Sequence, residues 1–415
     1  MKKKLIFIVL DGVGDKRVNK HPTPLDNPRL YALHSLAKKS ATGIVHTVPG
    51  IAPESDTAIF SLLGYSLKKY PGRGPLEAIG SDIPFKNGNL ALRCNFATSS
   101  GTEIIDRRVS RSLTSEEARR LEKTINSKVK LYQADFIFRA TIGHRGVVVF
   151  KAKKNLSSAI TNTDPAYQIT KSGLPEALKT YKSVLRHAKP MKKEARLSAD
   201  IVNDFTSQAY LALSNDKVNQ LRIKKGLHPA DLILSRDAGN FIPRIPSLSK
   251  QFKRKWAIIA DMPLERGIAK VSGMSIIDIP MGKNDPKSYS LRVKTTLKAL
   301  RKYDCIYIHL KGPDIYGHDG DFEGKKKSVQ DINDYFFAPL LKRVSLKDFI
   351  ICVTADHSTP CSVKGHSKDP VPIMVYGAFK KDKVQRFSEA ECRRGSLGVM
   401  KGIDVMKLLK RVYAR

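Results

Sequence analysis

The sequence predicts an α/β protein: a doubly wound, mostly parallel sheet built from both ends of the chain, with an α+β domain inserted in the middle. Two observations predict the core. Residues 5–10, 305–310 and 349–355 are short β-branched apolar runs bounded by turn residues, the pattern of strands buried on both faces. Each run also ends at or near an aspartate: Asp11, Asp314 and Asp356. Ligands of such sheets bind just beyond the carboxyl ends of the strands. A third observation predicts the insertion, because between about residues 85 and 235 the buried runs give way to alternating ones.

Taken in order, residues 1–65 read as a strand, a loop, a helix over 27–39, a strand over 43–48, a turn at Pro49-Gly50 and a helix after Pro53. Segments 89–96, 136–140 and 146–150 read as half-buried strands of a mixed sheet, followed by an amphipathic helix over 199–213. From about 250 the core pattern resumes with a strand over 256–260 and a helix over 288–302, before the last two aspartate-bearing strands. This places residues 1–80 and 245–415 in a discontinuous core and 85–240 in the inserted domain.

Composition narrows the function. A chain of 415 residues with 41% hydrophobic content can fill two cores. No stretch approaches the ~20 apolar residues of a membrane span. Asp11 interrupts the first apolar run too early for a signal peptide. Five scattered cysteines suit a reducing cytoplasm. The net charge of +35 would attract small anions. It is carried by dispersed lysines such as Lys151-Ala152-Lys153-Lys154, Lys192-Lys193 and Lys325-Lys326-Lys327, which read as solvated surface. Without interleaved aromatics or a binding motif, nucleic acid is not the expected partner.

Asp314 and His318, four apart, can share one face of a helical turn. Asp356 and His357 are adjacent, so their side chains are expected to diverge toward different ions. His366 follows a loop whose Pro360 and Gly365 let it double back. Each residue alone has a duller explanation, Asp11-Gly12 as a turn or His318 in a salt bridge. Together, carboxylates and imidazoles at three strand ends suggest two divalent ions, and such mixed ligation suits Mn²⁺, Zn²⁺, Mg²⁺ or Co²⁺. Cys361 lies nearby but has no second cysteine at ligand spacing. Two ions about 3.5–4 Å apart can clamp an in-line phosphoryl displacement. The candidate nucleophile is Ser55, at the start of a helix whose dipole favours an anionic phosphoryl group. The competing reading is that Ser55-Asp56-Thr57 is an ordinary N-cap cluster.

The chain resembles the archaeal-type cofactor-independent phosphoglycerate mutases of the alkaline phosphatase superfamily. The resemblance rests on Leu10-Asp11-Gly12-Val13-Gly14-Asp15, Ser55-Asp56-Thr57-Ala58, Gly72-Arg73-Gly74-Pro75-Leu76-Glu77-Ala78 and Arg93-Cys94-Asn95-Phe96-Ala97-Thr98. It continues through Asp106-Arg107-Arg108, Asp314 to Asp321, and Ala355-Asp356-His357-Ser358-Thr359-Pro360-Cys361. These motifs span almost the whole chain in order. The resemblance implies an alkaline phosphatase-like core, with one metal on Asp11, Ser55, Asp356 and His357 and the other on Asp314, His318 and His366. It implies that Ser55 takes the phosphoryl group of 3-phosphoglycerate and returns it to the 2-hydroxyl of a retained glycerate, without 2,3-bisphosphoglycerate. The inserted domain would then act as a lid that excludes water.

For that substrate the sequence offers anion clamps in Arg93, Arg107, Arg108 and Arg145, with Arg73 and Arg236 near the borders and Lys311 close to Asp314. Arg107 is the favoured one. The chain departs from the family pattern at Glu54, where glycine is usual, at Ser66-Leu67, where Asp-Pro is common, and after Asp164-Pro165, where a histidine is expected. The alternative activity is a metal-dependent phosphomonoesterase or another phosphotransferase of the superfamily. A binding protein in which only the positive surface matters is disfavoured by the complete ligand set.

Overall fold

The computed structural model describes residues 3–18, 21–170, 173–178, 180–280 and 283–414. The chain forms two compact units, one of residues 1–70, 245–262 and 269–415, the other of 71–244 and 263–268. The helix Arg73–Gly80, placed with the core by the sequence reading, packs in the second unit.

The first unit is built on an eight-stranded sheet. Lys4–Leu10 lies at its centre, parallel to Cys305–Leu310 on one side and to Phe349–Ala355 on the other. Trp256–Ala260 and then Ser275–Asp278 extend the parallel half. Residues 5–10 are fully buried, as a strand covered on both faces must be. Val371–Tyr376 runs antiparallel to both Phe349–Ala355 and Ser40–His46, so the sheet is mostly, not wholly, parallel. Gly398–Lys401 closes the edge, parallel to Ser40–His46.

Two elements differ from expectation. The first helix is only Tyr31–Ala37, preceded by a 3-10 turn over Pro24–Asp26. Pro28 forces Asn27 out of the helical region, so no helix can run through it. The strand expected at 43–48 is Ser40–His46, since Pro49 has no amide to extend the ladder.

The second unit centres on the long strand Leu90–Ser100, antiparallel to Arg145–Lys151, Leu232–Gly239 and Glu103–Asp106. Asp135–Ala140 pairs antiparallel with Arg145–Lys151. The sheet is therefore antiparallel rather than mixed. Leu90 to Thr98 is buried without alternation, because both faces are covered. On one face Phe96, Phe138 and Phe150 join Phe205 of the helix Arg196–Ser214. On the other, Ala91, Val147 and Val149 pack with Ala78, Ile83 and Phe85.

Candidate functional site

Strand register levels the donors of the first unit. Leu10 pairs with Leu310 and with Ala355, so Asp11, Lys311 and Asp356 leave the sheet side by side. Among the described residues, two groups have ligand atoms within 4.8 Å of one another: Asp11, Asp356 and His357, and Asp314, His318 and His366. Asp356 and His357 thus share one group instead of diverging toward different sites. The cause is local. Asp356 Oδ1 turns back to accept the amides of Gly12 at 3.0 Å and His357 at 2.9 Å, which leaves Oδ2 facing His357 Nε2 at 3.4 Å. Asp314 and His318 share the short helix Pro313–Asp319, 3.6 Å apart.

Hydrogen-bond polarity sets the histidine tautomers. Thr359 Oγ1 has one proton and gives it to Asp314 Oδ1 at 2.7 Å, since an ionised carboxylate only accepts. At 3.0 Å from His357 Nδ1 the same hydroxyl must therefore accept, so that nitrogen carries the proton. His357 Nε2 is left with its lone pair, 3.2 Å from Ser55 Oγ and 3.6 Å from Asp11 Oδ1. His366 Nδ1 likewise donates to the Pro53 carbonyl at 2.8 Å, with Nε2 3.5 Å from Asp314 Oδ1. Metal-ligating imidazoles are held this way, through the nitrogen that does not bind. The two rings stack with centroids 3.8 Å apart.

Ser55 opens the helix Ser55–Leu62, whose N-cap, Glu54, makes no side-chain capping bond. The serine hydroxyl faces His357 instead, so the competing cap reading does not describe this residue.

The donor set fits divalent cations. Asp11 Oδ1 and Asp356 Oδ2 are buried without a hydrogen-bond partner, which is costly unless a cation neutralises them. Burial, with repulsion from Asp356 and Asp314, pushes the Asp11 carboxyl well above its usual range. At Asp314 burial acts in the same direction, but His366, His357 and His318 outweigh it and hold the carboxyl well below. These opposite shifts mark one crowded set of carboxylates sharing too few positive charges. Burial pushes His357 down to about 4, favouring the neutral ring that a metal requires. Gly12 has φ +60°, and a Cβ there would lie 2.7 Å from both Asp314 Oδ1 and Thr359 Oγ1. Only glycine leaves that space open.

In the second unit, register gathers the arginines. Arg93 lies opposite Arg236 on one side, and Asn95 lies opposite Arg145 on the other. Like charges directly opposed in a sheet repel, and two carboxylates offset them. Glu77 Oε1 bonds Arg73 Nε at 2.7 Å and lies 3.7 Å from Arg93 Nε. Asp164 takes Arg107 in a two-pronged bond at 2.8 and 2.6 Å and Arg236 at 2.9 Å. The Tyr167 ring lies beneath both guanidinium groups, 4.1 Å from Arg236 and 5.3 Å from Arg107. The fork of Arg107, the favoured clamp, is thus occupied by Asp164. The buried Nε of Arg93 has no hydrogen-bond partner, whereas that of Arg236 lies 3.4 Å from Asp237 Oδ2. Burial and the neighbouring Arg73 and Arg236 push Arg93 down to about 9, the sign of a positive cluster short of anions. Arg108 joins it electrostatically through Arg145. Lys311, in the first unit, bonds Asp261 Oδ1 at 3.1 Å.

Residues 37–219 match the family model described as 2,3-bisphosphoglycerate-independent phosphoglycerate mutase. A protein of that name from Aeropyrum pernix is 43% identical over 411 residues, covering 96% of each chain. Its namesake from Methanosphaera stadtmanae is 37% identical, covering 98% of this chain and 97% of its own. The chain belongs to this mutase family. Two solved structures are similar throughout. The cofactor-independent phosphoglycerate mutase from Thermoplasma acidophilum is 28% identical with a TM-score of 0.61, covering 99% of this chain and 100% of its own. A Pyrococcus horikoshii protein is 26% identical with a TM-score of 0.81, covering 100% and 98%.

For a member of this mutase family, Glu54 stands where the resemblance led one to expect glycine. Its carboxylate lies 3.7 Å from His366 Nδ1. Burial opposes protonation of His366, but Glu54 and Asp314 hold its proton up to about 10. Sequence reasoning missed His309, buried behind Asp356 with Nε2 3.4 Å from Oδ2, because it sits within an apolar strand. It also missed Thr359, Asp164 and Glu77. Each works through a partner distant in sequence, so no local pattern marks it.

Proposed function

We propose that this protein is a cofactor-independent phosphoglycerate mutase, interconverting 3-phosphoglycerate and 2-phosphoglycerate through a phosphoserine at Ser55. The observation that carries the reading is Ser55 Oγ, 3.2 Å from His357 Nε2 and joined to the Asp11 group by it. Asp11, Asp356 and His357, with Ser55, would hold one divalent ion; Asp314, His318 and His366 would hold a second. Ions so held supply Lewis acidity and neutralise charge on the phosphoryl oxygens. Ser55 Oγ forms a bond to phosphorus as the bond to O3 of glycerate breaks, and O3 takes up a proton. Glycerate O2 then attacks the phosphoserine, releases Ser55 Oγ and loses its own proton, so no water is consumed and no bisphosphate is needed. The proton that leaves Ser55 Oγ is the one that O3 takes up, and His357, committed to the ion through Nε2, would hold that ion beside the serine oxygen.

Arg93, Arg145 and Arg236 would hold the anionic groups of the substrate, with Arg108 beside them and Arg107 held in place by Asp164. Lys311 would meet the phosphoryl group. Mn²⁺, Zn²⁺, Mg²⁺ and Co²⁺ all suit the donor set. Among the described residues no helix is long and apolar enough to cross a membrane. The five cysteines are free and buried, which supports a reducing cytoplasm as the site of action.

The deciding experiment incubates Mn²⁺-loaded protein with 3-phosphoglycerate and follows 2-phosphoglycerate and free phosphate together. The expected result is isomer without stoichiometric phosphate and without added 2,3-bisphosphoglycerate. Phosphate released with no isomer would establish the phosphomonoesterase alternative.

A further inference from the structure

The lysine run 325–327 splits in three dimensions. Lys326, half-buried, and Lys327, exposed, pair with Glu323 and Asp331 on their own helix, Phe322–Ile332. Lys325 is completely buried. Its ammonium has three protons, and three acceptors meet it: the Gly14 carbonyl at 2.9 Å, Asp15 Oδ2 at 2.9 Å and the Thr359 carbonyl at 2.8 Å.

Those acceptors sit on the segments that carry the donors. Gly14 and Asp15 follow Asp11, and Thr359 follows Asp356 and His357. The Gly14 carbonyl also accepts the Thr359 amide at 3.0 Å. A Cβ on Gly14 would come within 2.2 Å of Ser358 Oγ, so the two loops touch. The Thr359 carbonyl held by Lys325 also meets the helix of Asp314 and His318, where a Cβ on Gly317 would lie 2.3 Å from it. The Ser367 amide, next to His366, bonds the Ser358 carbonyl at 3.0 Å. Thr359 Oγ1 is itself the hydrogen-bonded link between Asp314 and His357.

We infer that Lys325 is a positioning residue whose buried ammonium sets the spacing between the two donor groups, acting as a permanent cation behind the exchangeable ones. This rests on the two-metal reading above. A methionine would fill much the same volume, but it could neither hold two carbonyls and a carboxylate together nor balance Asp15.

The test compares Mn²⁺-loaded wild type with Lys325→Met and Asp15→Asn, by calorimetric Mn²⁺ titration, by the magnetic coupling of the bound pair in electron paramagnetic resonance, and by kcat and KM. K325M should weaken Mn²⁺ binding and lower kcat by about 10–100-fold, with altered coupling and a KM for 3-phosphoglycerate close to wild type. D15N, which keeps both carbonyl partners, should shift the same quantities in the same direction but less. A K325M protein that melts cooperatively with wild-type Mn²⁺ affinity and coupling would overturn the inference, even if its Tm falls. Should K325M fail to fold, unchanged affinity and coupling in D15N would overturn it. A wild type that binds no pair of Mn²⁺ ions would instead overturn the underlying two-metal reading.

Discussion

The two units hold mirror-image electrostatic problems. In the first, Asp11, Asp314 and Asp356 crowd together and burial pushes Asp11 up. In the second, Arg93, Arg145 and Arg236 crowd together and burial pushes Arg93 down. One lacks positive charge and the other lacks negative charge. They also differ in how they are built. Asp11 and Asp356 leave the ends of neighbouring parallel strands at one level, and Asp314 follows on the short helix beyond the third. The arginines sit within antiparallel strands, gathered by cross-strand register. Where like charges are buried together, the missing partner is the clue to function.

The sharpest way to break this comparison is at the nucleophile. Ser55→Ala should lower kcat on the order of 10⁴–10⁶-fold, while titration still shows Mn²⁺ bound through the carboxylates and histidines that remain, more weakly at the site that loses the serine. Substantial turnover in that variant would mean the wrong serine.

Next in size is Asp164→Asn. It leaves buried Arg236 and half-buried Arg107 without their shared carboxylate, and should cost about 3–5 kcal/mol of stability in denaturant unfolding. At Asp164 burial raises the carboxyl pKa, but Arg236 and Arg107 outweigh it and hold the folded value below normal. The contribution is therefore present above the unfolded carboxylate pKa of about 3.9 and fades as pH falls through the folded value. D164N should flatten the acid limb of the stability curve, and an unchanged limb would show the pair to be inert.

Smallest is Arg93→Met. Losing a charge-assisted hydrogen bond of about 1.5–3 kcal/mol should raise KM for 3-phosphoglycerate roughly 10–150-fold. Mn²⁺ binding should not change. If R93M weakened the metal instead, the two clusters would not have separate duties.

The same contrast explains what could be read from the sequence. The three aspartate-bearing strands were legible because apolar run, turn and ligand are contiguous in each. Ser55 was legible through the helix that begins there, although only its bond to His357 separates nucleophile from cap. The grouping of Asp356 with His357 was not legible from adjacency, because the turn of Asp356 Oδ1 toward Gly12 depends on a residue 344 positions away. Within the arginine set, sequence favoured Arg107, whereas the fork of that residue is taken up by Asp164, 57 positions on. Lys325 read as solvated because its neighbours are, and only its three acceptors reveal otherwise.

The register of the central strand has a consequence for biosynthesis. Lys4–Leu10 is made long before both of its sheet partners, Cys305–Leu310 and Phe349–Ala355. Until then Asp11 has neither Asp356 nor His357 beside it, and the second donor group does not exist. Metal acquisition must therefore follow the synthesis of both partners, and until they are made the nascent strand has to wait, apolar and unpaired. That interval is when this protein is most exposed to aggregation and most in need of a chaperone.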